Sequence, residues 1–363
     1  MGAHDKRVID LDFFCLIFFT IMKSLDEWRV YFEGNHVTPD LIDLALRYIN
    51  NLNIQGLPVI FDFTHLARLL GVADTYLASV VNSPSDHWRS FKLRKHSGGF
   101  REISVPYPTL LYIQRWIYSN ILIKISVSPY CHGFRPGRSI VTNAKWHVSR
   151  KELLKLDIAD LFPSVTINRV INLFRGLGYS YDVGFYLASL CCLDGKLPQG
   201  APTSPYISNV ICKGMDSRIV KLAKRNKFNY TRYADDLTFS GEHINAGFID
   251  LVSTIVGENG FTLNESKTRL YRSKGKRIVT GISVNDKLTV PREYKRKIKQ
   301  EIYYIKKYGL LDHLKEAKIK KEKYCRSLLG RICFWLQVEP KNEFAMDAKR
   351  HMIKLMRNGF LDV

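Results

Sequence analysis

The 363-residue chain has no C-x-x-C pair, no apolar run long enough to cross a bilayer, no internal repeat and no low-complexity linker. Its seven cysteines, at 15, 131, 191, 192, 212, 325 and 333, are odd in number and lack metal-ligand spacing. That excludes a disulfide frame or zinc site and reads as reduced thiols in the cytoplasm; Cys131 and His132 adjoin, but no second pair supports them as ligands. Acidic residues are also few: 34 Asp+Glu stand against 55 Lys+Arg, a net charge of +21. So large an excess exceeds solubility tuning and points to a polyanionic partner, nucleic acid ahead of an anionic membrane surface. With 46% hydrophobic and 12% aromatic residues, the chain is no disordered tail, and it is long enough for two or three structural units.

Lys6 and Arg7 precede the apolar run Phe13–Met22, as at the start of a signal peptide, but no small-residue cleavage site follows. Met22 is therefore expected as the natural start, with residues 1–21 as upstream sequence. Residues 24–80 read as helices, with one apolar stripe of Leu41, Leu44, Leu46 and Ile49 and another of Leu66, Leu69, Leu70 and Leu77. Phe91–Lys95 and Phe100–Val105 flank His96-Ser97-Gly98-Gly99 as strand, turn and strand, and Leu110–Ile125 reads as a helix. From Lys151, the alternation of Leu154, Leu156 and Ile158 with Lys155 and Asp157 predicts a strand with one buried face. An amphipathic helix is expected over 244–256, then a hairpin of Arg277–Val284 and Lys287–Val290 about Asn285-Asp286. Beyond Pro291 the chain is helical and basic. Lys287–Arg331 carries 15 Lys+Arg and 5 Asp+Glu, so nearly half the excess charge sits in 45 residues, as phosphate contacts require.

Three segments carry chemistry. In Tyr230–Ser240, β-prone residues surround Asp235-Asp236, an acidic pair that can converge on one cation at a hairpin turn. Asp157 supplies a third carboxylate if its strand pairs with that hairpin, and hard oxygen donors of this kind suit Mg²⁺ and in-line phosphoryl transfer. In Leu197–Pro205, Gly200 allows close backbone approach, and Ser204 as N-cap with Pro205 at the first helical position starts a helix.

The segments L-D-I-A-D-L-F-P-S, L-P-Q-G-A-P-T-S-P and Y-A-D-D, in this order, resemble the palm motifs of reverse transcriptases. Asn143-Ala144-Lys145-Trp146-His147 and Val279-Thr280-Gly281 match the N-A-x-x-H and V-T-G patterns of the bacterial retron reverse transcriptases, and the likeness extends over about residues 90–300. The resemblance implies an α+β right-hand polymerase fold with fingers, an antiparallel-sheet palm and a basic helical thumb. Its segments would be an N-terminal extension over 1–23, helical region and fingers over 24–150, palm over 151–276, and primer-grip hairpin with thumb over 277–363. It further implies that Asp157, Asp235 and Asp236 hold Mg²⁺ and that Phe162 is the steric gate against a ribose 2′-OH. Gln199 would line the nucleotide pocket, Lys95 and Arg101 would grip the triphosphate, and Lys267 would protonate departing pyrophosphate. Arg135 and Arg138, in the glycine-rich loop His132–Ser139, match the template path. Asn143 and His147 would meet the structured RNA, unless His147 is a packed core histidine, and Lys295 and Lys299 would add thumb contacts to RNA.

The implied activity is RNA-directed DNA synthesis, primed from an RNA 2′-OH on a cognate structured non-coding RNA and giving branched msDNA. The implied partners are that RNA, its msDNA product, deoxynucleoside triphosphates and a separate effector protein in phage defence, with no membrane. A group II intron-type reverse transcriptase, an antiphage polymerase making untemplated or protein-primed DNA, and a non-enzymatic RNA-binding scaffold are the alternatives.

Overall fold

The computed structural model describes residues 24–94, 98–272, 275–316 and 324–357, so the expected start at Met22 and the cation Lys95 lie outside the described residues. In chain order the elements begin with α1 (Leu25–Gly34), α2 (Pro39–Ile54), α3 (Phe63–Leu70) and α4 (Asp74–Asn82), then the strands β1 (Trp88–Arg94) and β2 (Phe100–Pro106). Helices α5 (Pro108–Asn120) and α6 (Ile140–Lys145) precede β3 (Glu152–Asp157), and α7 (Ile167–Gly176), α8 (Tyr181–Cys191), α9 (Ser204–Ile211) and α10 (Lys213–Arg225) follow it. Next come β4 (Asn229–Tyr233), β5 (Asp236–Gly241), α11 (Ala246–Glu258) and the short strands β6 (Arg269–Tyr271), β7 (Ile278–Val279) and β8 (Ile282–Ser283). Among the described residues the last elements are the helices α12 (Arg292–Tyr308), α13 (Leu310–Glu316), α14 (Tyr324–Val338) and α15 (Glu343–Arg357). None of the described helices is long and apolar enough to cross a membrane.

These elements gather into two compact units, one from the chain up to Ser128 with Asp160–Lys213, the other from Pro129–Ala159 with Gly214–Val363. The units cut across the linear segments expected from the sequence, because the chain leaves the second unit after Ala159 and re-enters it at Gly214.

Among its described residues the first unit is helical apart from the β1–β2 hairpin and the bridges of Lys196 with Thr166 and Leu193. Ser24 and Glu27 form a capping box that starts α1, and Asp62 caps α3, which ends on left-handed Gly71. Trp28 and Phe32 of α1 pack on Ile42, Leu46 and Ile49 of α2. The α2 stripe is therefore rotated from the expected one, and Leu41 and Leu44 face outward. The β1–β2 hairpin pairs Trp88 with Pro106 through Arg94 with Phe100, and Arg89–Arg94 and Phe100–Glu102 are exposed.

In the second unit, an antiparallel sheet has the order β4-β5-β3-β6. β3 lies between β5 and β6 with both edges paired, and its residues are buried on both faces apart from half-buried Lys155, which corrects the expected strand with one buried face. The side chains of Tyr230, Phe239 and Phe248 form an aromatic stack that seats α11 against β4 and β5. The hairpin expected at Asn285-Asp286 instead turns at Thr280-Gly281, both left-handed, which pairs β7 with β8. Only a single bridge, Ser283 to Thr289, spans Asn285-Asp286. β7 and β8 bury Val279 and Ile282 in one core with Ile298, Ile302, Leu328, Ile332, Trp335 and Met352 of the C-terminal helices.

Candidate active site

The turn Tyr233-Ala234-Asp235-Asp236 joins β4 to β5, with Tyr233 and Asp236 as the last register pair. Ala234 is left-handed at φ 56°, a conformation that a side chain with Cβ adopts only when its surroundings hold it there. Gly133 is one of those surroundings: a Cβ on it would stand 2.7 Å from the Ala234 nitrogen and 3.3 Å from the Tyr233 carbonyl carbon. The glycine of the basic loop is thus required by a backbone-on-backbone contact with the acidic turn.

Asp157 ends β3 directly opposite Asp236, so the two carboxylates leave the same face of neighbouring strands. The Ile158 N–H donates to the Asp235 carbonyl at 2.9 Å, tying the third acidic residue to the same strand end. Like charges in cross-strand register destabilise a sheet unless a cation intervenes. Burial, reinforced by the Asp157 charge, holds the Asp235 carboxyl above the usual range. The Asp236 carboxyl is also raised, by burial first; nearby Lys155 opposes the rise and Asp157 adds to it.

One cation is in place. The Asn264 N–H donates to the Asp157 carbonyl at 2.7 Å, and the short turn Glu265–Lys267 then carries Lys267 over the carboxylate. Its ammonium bonds both Asp157 oxygens, at 2.8 and 3.0 Å, which holds it above the ordinary lysine value. Lys155, Asp157, Asp236, Lys267, Arg269 and Tyr271 line a cavity of about 240 Å³ beside this pair. Among the described residues no group of three or more His, Cys, Asp or Glu side chains is arranged to hold a metal ion. The donors nonetheless fit a hard divalent cation: the half-buried Asp235 and Asp236 carboxyls are raised by burial and by neighbouring charge, and Asp157 beside them already binds an ammonium.

In the first unit, residues 165–167 pair with 195–197 through the Leu197 N–H to the Val165 carbonyl and the Ile167 N–H to the Gly195 carbonyl. That ladder sets the loop of Phe162 and the loop of Gln199 at the same end, both side chains half-buried. The Gln199 carbonyl accepts the Ser104 N–H of β2 at 2.9 Å, and a Cβ on Gly200 would stand 2.6 Å from the Ser104 carbonyl oxygen. Gly200, left-handed at φ 130°, therefore does allow the close approach expected of it. Arg101 is exposed on β2, paired in register with Leu93. Ser204 is the first residue of α9 and Thr203 its N-cap, with no side-chain capping bond, which corrects the expected Ser204 cap.

The residues assigned to RNA divide. Arg135 and Arg138 are half-exposed on the glycine-rich loop, and Lys299 is exposed on α12 with its ammonium 5.3 Å from the Phe344 ring centre. Asn143 and His147 are buried instead, which corrects their assignment as RNA contacts. The His147 ring bonds Ser240 Oγ at 2.7 Å and Thr231 Oγ1 at 2.8 Å, and burial pushes its pKa down to about 3. The Asn143 amide donates to Thr280 Oγ1 at 3.4 Å, so the N-A-x-x-H and V-T-G patterns meet inside the unit. Lys295 is half-buried on α12 and pairs with Glu339 at 2.6 Å. Sequence reasoning passed over Asp216 and Arg232, both fully buried. The available signal was a carboxylate on the apolar stripe of α10, between Met215 and Ile219.

Residues 93–305 match the sequence family described as reverse transcriptase (RNA-dependent DNA polymerase). The retron Mx65 reverse transcriptase of Myxococcus xanthus is 39% identical over 272 residues, 68% of this chain and 64% of that protein. The retron Ec86 reverse transcriptase of Escherichia coli is 32% identical over 268 residues, 72% of this chain and 84% of that protein. The retron Mx162 reverse transcriptase of Myxococcus xanthus is 37% identical over 257 residues, and the match spans 61% of this chain and 53% of its own length.

Proposed function

The chain belongs to the reverse transcriptase (RNA-dependent DNA polymerase) family, as a retron-type member, and on that premise we propose that it copies a cognate structured RNA into DNA with Mg²⁺ held by Asp157, Asp235 and Asp236. The observation that carries this reading is the cross-strand register of Asp157 with Asp236, with Asp235 in the turn beside them. It sets Asp157 and Asp236 side by side at one strand end with Asp235 in the adjoining turn, and the repulsion that Lys267 leaves uncompensated would be offset by a metal cation. Mg²⁺, when bound, lowers the pKa of the attacking hydroxyl and offsets the charge of the leaving pyrophosphate.

The chain's own residues do the rest. Lys267, held above the ordinary lysine value by Asp157, stays protonated at neutral pH and would be the proton donor to departing pyrophosphate. Phe162 excludes a ribose 2′-OH, Gln199 lines the nucleotide pocket, and Lys95 and Arg101 grip the triphosphate from the hairpin. Arg135, Arg138 and Lys299 follow nucleic-acid phosphates. Synthesis starts from an RNA 2′-OH and yields msDNA in the cytoplasm, in a phage-defence system with a separate effector.

Extraction of nucleic acid from the purified protein tests the reading. The expected product is a branched species, part sensitive to RNase and part to DNase, that disappears when Asp235 and Asp236 are both replaced by Asn. RNA alone from the unaltered chain refutes DNA synthesis.

A further inference from the structure

Beneath the acidic turn lies a charge pair that the proposed chemistry does not use. The Arg232 guanidinium and the Asp216 carboxylate are both 0% exposed. Arg232 Nε and Nη2 each donate at 2.9 Å to separate oxygens of Asp216, and the Tyr230 hydroxyl donates to Asp216 Oδ1 at 2.7 Å. Arg232 Nη1 is directed elsewhere: it donates at 3.1 Å to the carbonyl of Ala234, the left-handed residue of the turn. The Arg232 backbone is itself clamped, its N–H donating to the Tyr130 carbonyl and its carbonyl accepting the His132 N–H.

Stability is a poor reason for such a pair. Two ions buried in a protein interior are commonly matched or bettered by apolar side chains of similar volume. What apolar side chains cannot do is hold a carbonyl in one orientation. A planar guanidinium can, because its fork satisfies a carboxylate with two N–H groups and aims a third at another acceptor. The acceptor here is the peptide immediately before Asp235.

We propose that Asp216 and Arg232 are positioning residues: through the Ala234 carbonyl they hold the turn in its left-handed conformation and so set where the Asp235 and Asp236 carboxylates point. The inference rests on the polymerase reading above. It assigns a positioning role to a pair whose contacts are with Tyr230 and the turn backbone.

The test is the full chain with both charges removed, Asp216→Leu with Arg232→Met, assayed with primed RNA template, deoxynucleotides and Mg²⁺. Rates are normalised to active molecules by burst amplitude. The expected result is a fall in kcat of about 100-fold, the scale of a misplacement of about 1 Å at a reacting centre. KM for deoxynucleotide and Kd for template RNA stay within about threefold, because those contacts lie elsewhere. Half-saturation by Mg²⁺ shifts to higher concentration. An unchanged kcat, or a loss seen only in burst amplitude with the remaining molecules at full rate, overturns the proposal. If the double variant does not fold, Arg232→Lys carries the test on the same criteria, since it keeps the charge and loses the fork. If the unaltered chain makes no DNA in this assay, the polymerase reading itself has failed, an outcome separate from failure of the pair.

Discussion

Replacing Gly133 with Ala is a direct perturbation of the acidic turn, and its size can be worked from the coordinates. The backbone of Gly133 is not left-handed, so alanine meets no conformational barrier there, and only space is at issue. The new methyl would lie 2.7 Å from the Ala234 nitrogen, where ordinary contact begins near 3.4 Å, so the two backbones must part by about 0.7 Å. Neither atom belongs to a side chain that could rotate away. The loop is also tethered, by the Arg232 N–H to the Tyr130 carbonyl at 2.9 Å and the His132 N–H to the Arg232 carbonyl at 2.8 Å. The turn therefore has to give. Taking about 100-fold per 1 Å as exponential in displacement, the loss in kcat is roughly 25-fold, about 1.9 kcal/mol of barrier. Overpacking adds a folding cost of about 1–3 kcal/mol. Gly257→Ala is the control: it lies in α11 with nothing within 4 Å of its would-be Cβ. That variant is expected to gain about 0.5–1 kcal/mol of stability without changing rate. Initial rates per active molecule and urea unfolding read both effects. A Gly133→Ala enzyme within twofold of normal kcat and undiminished in stability would refute the contact.

Three other outcomes are expected. Asp235→Asn with Asp236→Asn abolishes DNA synthesis, leaves RNA affinity unchanged, and raises Tm of the metal-free protein at neutral pH. The sign follows from the raised folded pKa values: these carboxylates favour folding most below the unfolded value of about 3.9 and lose that as pH rises through the folded value. A lower Tm in the variant contradicts the burial argument. His147 is neutral when folded, with a pKa near 3, against about 6.5 unfolded, so stability falls as pH drops below 6.5 by about 1.4 kcal/mol per unit. His147→Gln flattens that slope in urea titrations and leaves RNA Kd within threefold; a larger change in Kd returns His147 to the RNA surface. Phe162→Ala raises ribonucleotide incorporation, measured as the ratio of kcat/KM for deoxy- and ribonucleotides, and an unchanged ratio removes Phe162 as the gate.

What was legible in the sequence was local. Tyr230–Ser240 read as two strands about an acidic turn because turn chemistry and alternation act within a few residues, and β4, β5 and the Ala234-Asp235 turn lie there. The basic helices after Pro291 were equally plain, since periodicity and charge need no partner to be seen. The errors share one cause, which is that burial is decided by neighbours distant in the chain. Lys155 and Asp157 promised an open face, yet Lys267, more than a hundred residues on, lies over the Asp157 carboxylate and Asp157 is buried. Asn143 and His147 have the residue types of an RNA contact, and only the arrival of Thr231, Ser240 and Thr280 makes them interior. In Arg277–Val284, Asn285-Asp286 was the louder turn signal, but packing Val279 and Ile282 into the same core requires the reversal at Thr280-Gly281.

The sequence by itself determined the residues on which the proposed chemistry rests: three aspartates at strand and turn positions, a glycine before a helix start, and an excess of 21 positive charges concentrated toward the C-terminus. Only the tertiary structure decided how the acidic turn is held. Gly133 against Ala234 and the Asp216–Arg232 pair under its carbonyl join segments remote in sequence, and no periodicity or propensity encodes them. Propensity acts along the chain, whereas a buried charge and a backbone contact exist only once the chain has closed on itself.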